Sequence, residues 1–164
     1  MRSLTFAVVL VALVVGARAV IAADWGGVIP GESTKDTVRA RHGDPTRTTN
    51  QKIDRFDTVQ WVYEGDRAPT GMSRMTIDFG LAAPTGFRAD VVRSFKLEPH
   101  PGIFVRPAII DGWGRPSGAA PAGQPPAFFY ESGLLVYFDK DGWEVESMVF
   151  TPPQPTGGQA APQR

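Results

Sequence analysis

The chain has 164 residues, with 17 Lys and Arg against 17 Asp and Glu, no cysteine, 18 Gly and 15 Pro. That length allows one ordinary domain, or two very small ones sharing a core. Balanced charge argues against a nucleic-acid binder, which carries a concentrated positive field; the lack of cysteine excludes disulfides, thiolate zinc sites, a Cys nucleophile and a Cys-linked lipid.

The N-terminus reads as an address. Arg2 precedes an apolar run over residues 4–15, followed by the small residues Gly16, Ala17, Ala19, Ala22 and Ala23. This is the pattern of a secretory signal peptide spanning 1–23. The run is short against the roughly 20 residues needed to cross a bilayer. Cleavage fits after Ala19 and, in preference, within 22–24. Loss of Arg2 and Arg18 leaves 15 basic against 17 acidic residues, a field too weak to steer binding to DNA or an anionic membrane. With no lipid-bearing cysteine, membrane association is not expected, and the export signal serves a periplasmic and a secreted protein equally.

Ser33 is positioned to cap a helix over 35–42, with Asp36 in its first turn and Val38 as its apolar contact. Gly43 ends it and Pro45 forbids its continuation. Barely two turns long, it must lie on something apolar. Strands follow. Val59, Trp61 and Tyr63 alternate with Gln60 and Val62, then Met75, Ile77 and Phe79 alternate with polar residues. A third run places Phe87, Ala89, Val91, Phe95 and Leu97 on one face, with Arg93 breaking the alternation as a bulge or wet edge would.

The second half repeats the plan. Pro107 opens a helix containing Ile109 and Ile110, closed by Gly112-Trp113-Gly114. Residues 116–126 (PSGAAPAGQPP) make a surface loop. Strands follow at 128–130, 134–138 and 143–150, the last two joined by a turn at Asp139-Lys140-Asp141-Gly142. On the last strand Trp143, Val145, Ser147 and Val149 are expected on one face, opposite Glu144, Glu146, Met148 and Phe150. Gly-Asp-Pro at 43–45 returns as Gly-Arg-Pro at 114–116, and Tyr63-Glu64 as Tyr130-Glu131. Two landmarks at offsets of 71 and 67, in the same order, argue for a duplication. The expected fold is α+β: two tandem units, each a short helix plus a three-stranded antiparallel meander, packed side by side. The first unit covers 24–98 and the second 99–150. A Pro/Gly/Gln tail at 151–164 cannot bury enough surface to order itself.

The stretch Ile29-Pro30-Gly31-x-Ser33-Thr34-Lys35-Asp36-x-Val38, ending in Gly43-Asp44-Pro45, resembles the opening helix of the SmpA/OmlA-like envelope proteins, the family of the small outer-membrane assembly lipoprotein. The tandem arrangement is similar to that of the β-lactamase inhibitor protein. The resemblance covers about 55 residues of the first half, and the second half by architecture only. This chain departs from it in lacking the lipid-bearing cysteine and in using Pro107 at the second helix. The resemblance implies protein binding in the cell envelope and not catalysis.

Catalytic signatures are scarce. His42 closes the first helix, where its positive form would suit the dipole; His100 lies between two prolines, and no spacing links the pair into a metal site. The 139–142 turn opens like a calcium loop but lacks its third acid and its distal Glu. Glu131, Glu144 and Glu146 would need to meet in one cleft to act as a glycosidase pair. Neither a nucleophile elbow nor a phosphate-cradling loop nor H-E-x-x-H occurs.

The aromatics carry more information. Trp61, Tyr63, Tyr130 and Trp143 form a partner-binding strip if they face outward, although the core is their favoured place. The sequence thus describes an exported, non-enzymatic module, without cofactor or metal, that binds another envelope or secreted protein through an open sheet face. A small-ligand or glycan binder with a cleft between the halves is the alternative, and a carboxylate hydrolase the third.

Overall fold

A computed structural model describes residues 21–153. Residues 1–20 of the expected leader and the tail beyond 153 lie outside the described residues. Within them, no helix is long and apolar enough to cross a membrane.

The first helix, α1, is Lys35–His42. Its cap is Thr34, not Ser33: the Thr34 hydroxyl accepts the Thr37 N–H at 3.4 Å. Ser33 is buried and accepts the Ile29 N–H at 2.9 Å, which holds the preceding turn. Gly43 takes a positive φ and returns its N–H to the Arg39 carbonyl. Helix α2, Arg106–Trp113, has Pro107 in its first turn and ends the same way at Gly114. Each buries one residue, Val38 or Ile109. Helices this short persist only by docking.

The strands are β1 (Arg47–Ile53), β2 (Phe56–Glu64), β3 (Met72–Ala83), β4 (Gly86–Pro99), β5 (Gly118–Ala119), β6 (Ala127–Phe129), β7 (Leu134–Phe138) and β8 (Val145–Phe150). They form one antiparallel sheet in the order β1-β2-β3-β4-β8-β7-β6-β5. The expected α+β arrangement of two three-stranded units packed side by side is therefore wrong. The fold is sheet-dominated, with four strands per half joined edge to edge through β4 and β8. Two physical reasons account for the difference. β1 (RTTNQKI) is polar throughout, so no alternation betrays it. At the junction, Phe95 pairs with Phe150 and Leu97 with Met148, continuing one apolar face while satisfying backbone groups that separate units would leave bare.

That face is the core. Cross-strand pairs run Tyr63–Met75–Leu97–Met148–Val136–Phe128, and alongside them Trp61–Ile77–Phe95–Phe150–Leu134. All eleven are buried. Phe95 and Phe150 stack at 4.4 Å across the seam. Full burial of each such side chain contributes about 1.5–3 kcal/mol.

Of the four register shifts in the sheet, two bear most on which side chains face in. Asp78 pairs with Ser94 and Phe79 with Val92, so Arg93 is the extra residue, as its sequence context suggests. The second bulge is unexpected. Tyr137 pairs with Ser147 but Phe138 with Val145, which leaves Glu146 over. The simple alternation expected for 143–150 is thus broken: Val145, Met148 and Phe150 face the core, while Ser147 and Val149 face away.

The same local bonds recur in the two halves. Tyr63 Oη donates to the Gly43 carbonyl at 3.0 Å, and Tyr130 Oη to the Gly114 carbonyl at 3.2 Å. The Glu64 N–H donates to Thr46 Oγ1 and the Glu131 N–H to Ser117 Oγ, both at 3.1 Å. Trp61 meets Phe79 edge-on, as Phe128 meets Phe138. In each half a tyrosine on the covered face thus holds the end of its helix.

Candidate functional site: the open face of the sheet

The face opposite the helices has no covering layer in the described residues. Its residues follow from the register. One row crosses every strand: Arg47–Val62–Thr76–Lys96–Val149–Leu135–Phe129–Gly118. Flanking it are Gln60–Asp78–Ser94 and Glu64–Arg74–Glu98 on one side of the seam, and Ser147–Tyr137–Ala127 on the other. The chemistry changes at the step from Lys96 to Val149.

On the β1–β4 half, Glu64, Arg74, Asp78, Lys96 and Glu98 find partners within that half. Glu64 holds Arg74 at 3.1 Å, Arg74 lies 3.6 Å from Glu98, and Lys96 donates to Glu98 at 2.7 Å. Asp78 accepts from Gln60 at 2.9 Å and from Ser94 at 3.5 Å, with Arg93 at 3.9 Å. These pairs are half-exposed, so each contributes little to stability. The β5–β8 half has no such ladder. Phe129 and Tyr137 are 37% and 36% exposed, a large fraction for aromatic side chains. Leu135 and Val149 lie half-buried between them and the seam. Beside Phe129 is a hollow of about 270 Å³, lined by Ser117, Gly118, Tyr130, Glu131, Gly133 and Leu135. Gly133 has a positive φ, and a Cβ there would collide with the Thr151 carbonyl. The bonds from Thr151 to Gly133 hold this residue at the rim and extend the folded part past residue 150.

The aromatics singled out in the sequence divide. Trp61, Tyr63 and Tyr130 are buried on the helix-covered face and are not available as surface anchors. Trp143 is 54% exposed, but it stands in the β7–β8 turn, away from the open-face row. Phe129, Leu135, Tyr137 and Val149 were missed as a group. The signal for three of them was parity. If Phe128, Val136 and Phe138 point inward, then Phe129, Leu135 and Tyr137 point out.

Burial governs the few shifted titrations. Tyr63 is pushed up to about 12 by burial, so its phenol stays neutral and keeps its bond to Gly43. Burial also raises Tyr130. His42 is lowered from its ordinary 6.5 by burial, and further by Arg41. Its ring stacks on Trp25 at 6.2 Å and meets the edge of Tyr63 at 6.1 Å, and its buried Nε2 has no hydrogen-bond partner. The cationic form expected at the helix end is therefore disfavoured. His100 is exposed.

The acidic candidates do not converge. Glu131 sits at the β6–β7 turn and Glu144 at the far end of β7, separated by about 17 Å of strand rise. Glu144 accepts the Gly102 N–H, and Glu146 is the exposed bulge residue. Asp139 Oδ1 accepts the N–H groups of Trp143 and Glu144, which makes 139–142 a hairpin turn. Among the described residues no group of three or more His, Asp or Glu could hold a metal ion. A second hollow, of about 300 Å³, is lined by Lys35, Asn50, Gln51, Asp57, Thr58 and Val59, all from the first half. Both hollows lie within one half and neither between them.

No family model matches the chain, and no curated protein matches it significantly. Among solved structures, a DUF4309 family protein (YjgB) from Bacillus subtilis is similar at 12% identity, over 77% of this chain and 82% of that one, with a TM-score of 0.47. A likeness that distant carries no argument about function here.

Proposed function

We propose that this chain is an exported, non-enzymatic protein-binding module whose partner docks on the open face of β5–β8. One observation carries the reading: Phe129 and Tyr137 stand exposed beside Leu135 and Val149, while the charges across the seam are met within their own half. Aromatic anchors beside a hollow that admits one large side chain are what a protein interface uses at its centre. The leader pattern at 1–23 and the resemblance to the SmpA/OmlA-like envelope proteins support the same reading, with an envelope or secreted protein as partner.

Replacing Phe129 and Tyr137 together with Ser tests it. The partner trapped by crosslinking in cells is lost from the double variant, while circular dichroism is unchanged. Retention of the partner by a folded double variant overturns the proposal. The leader has its own test. Ala23 is buried and its N–H donates to the Ser132 carbonyl at 2.8 Å, so cleavage after Ala19 or Ala22 preserves a contact that cleavage after Ala23 removes. Intact mass of the exported protein distinguishes these sites.

A further inference from the structure

The two ends of the sheet are unequal. β5 is two residues long, in a stretch that carries Pro116, Pro121, Pro125 and Pro126. β1 has seven residues, without Pro, Gly or a register shift, paired from Arg47↔Val62 to Ile53↔Phe56. Arg47, Thr48, Thr49, Asn50 and Lys52 are all exposed, and no described strand pairs with the outer side. Along an antiparallel pair, successive residues bond alternately inward and outward. Ile53 and Phe56 close a two-residue turn, so Arg47, Thr49, Gln51 and Ile53 bond to β2. Thr48, Asn50 and Lys52 then turn their N–H and C=O groups outward, a template for another strand.

We infer that the strand it takes is its own copy: two chains join antiparallel through β1, about a two-fold axis at Asn50. Only an axis at Asn50 overlaps all seven residues. In that register Arg47 faces Ile53, Thr48 faces Lys52 and Thr49 faces Gln51, so no two cations oppose. An axis one residue later, at Gln51, would set Arg47 against Arg55. Lysine on an edge ordinarily discourages pairing, but Lys52 is the one lysine of β1 and its ammonium lies 3.6 Å from Asp57 on β2. The contact is isologous, as a closed dimer requires. It leaves the β5–β8 face free, so it is independent of the partner reading above.

The absence of cysteine makes the test clean. At the axis, residue 50 faces its own copy with Cα atoms about 5.5 Å apart, within reach of a disulfide. Under mild oxidation Asn50→Cys gives a disulfide-linked dimer, whereas Lys52→Cys, which faces Thr48, stays largely uncrosslinked. Sedimentation shows a reversible dimer for the parent protein, and Asn50→Pro loses it while keeping its circular dichroism. A parent protein that is monomeric up to its solubility limit overturns the inference, as does equal crosslinking of the two cysteine variants. If Asn50→Pro fails to fold, the contrast between the cysteines decides alone.

Discussion

The two halves of the sheet share one face and differ on the other. Under the helices, β1–β4 and β5–β8 use matching parts: a tyrosine bonded to a helix-ending glycine, an edge-on aromatic pair, and a single helix residue driven into the core. On the open side, one half carries ion pairs that satisfy one another and the other carries exposed aromatics. The covered face answers to packing alone, which leaves little room for divergence. The open face is free of that constraint, and there the halves differ.

The largest effect should come where the halves are inseparable. Phe150→Ala opens a cavity at the seam and should cost about 3–5 kcal/mol. Denaturant unfolding should remain a single transition, because the stacked Phe95 belongs to the other half. Two separate transitions would mean that the halves fold independently. Acid should act on the first half through His42. Its folded pKa lies below 6.5, so as the pH falls through 6.5 the unfolded chain takes up the proton first and stability declines. Thermal unfolding between about pH 7 and 5.5 should show this slope, and His42→Phe, which keeps a ring between Trp25 and Tyr63, should flatten it. An unchanged slope would place the titration elsewhere.

Smaller and matched effects should follow at the tyrosines. Tyr63→Phe and Tyr130→Phe each remove one hydroxyl bond to a glycine carbonyl and should cost about 0.5–1.5 kcal/mol apiece. Strongly unequal costs by urea titration would break the correspondence between the halves. The smallest change belongs to the polar ladder. Arg74→Ala removes two half-exposed ion pairs and should shift stability by less than about 1 kcal/mol, an effect that high salt should erase.

Much of the covered face was legible from alternation. Met75, Ile77 and Phe79 could hardly be anything but a half-buried strand, and Gly43 marks the end of α1 where the structure has it. β1 was not legible, because a polar edge strand is held by its neighbour's backbone and not by its own side chains. Nor was the bulge at Glu146, which swaps the faces of the residues after it through a two-to-one pairing that no local composition announces. The exposed group on the open face was missed for a related reason. Attention falls on tryptophan and tyrosine by type, yet Trp61, Tyr63 and Tyr130 are spent on the core, while the exposed places fall to Phe129 and Tyr137 by their position in the pleat.

The last described strand, β8, lies in the middle of the sheet and pairs with β4 over Phe95–Leu97. During synthesis the first four strands can assemble, but Phe95–Leu97 of β4 keep a bare edge until Phe150 has emerged. A chain stopped short of that residue would present an apolar, unpaired ribbon ready to join any similar one. Holding the chain unfolded until it is whole removes that hazard.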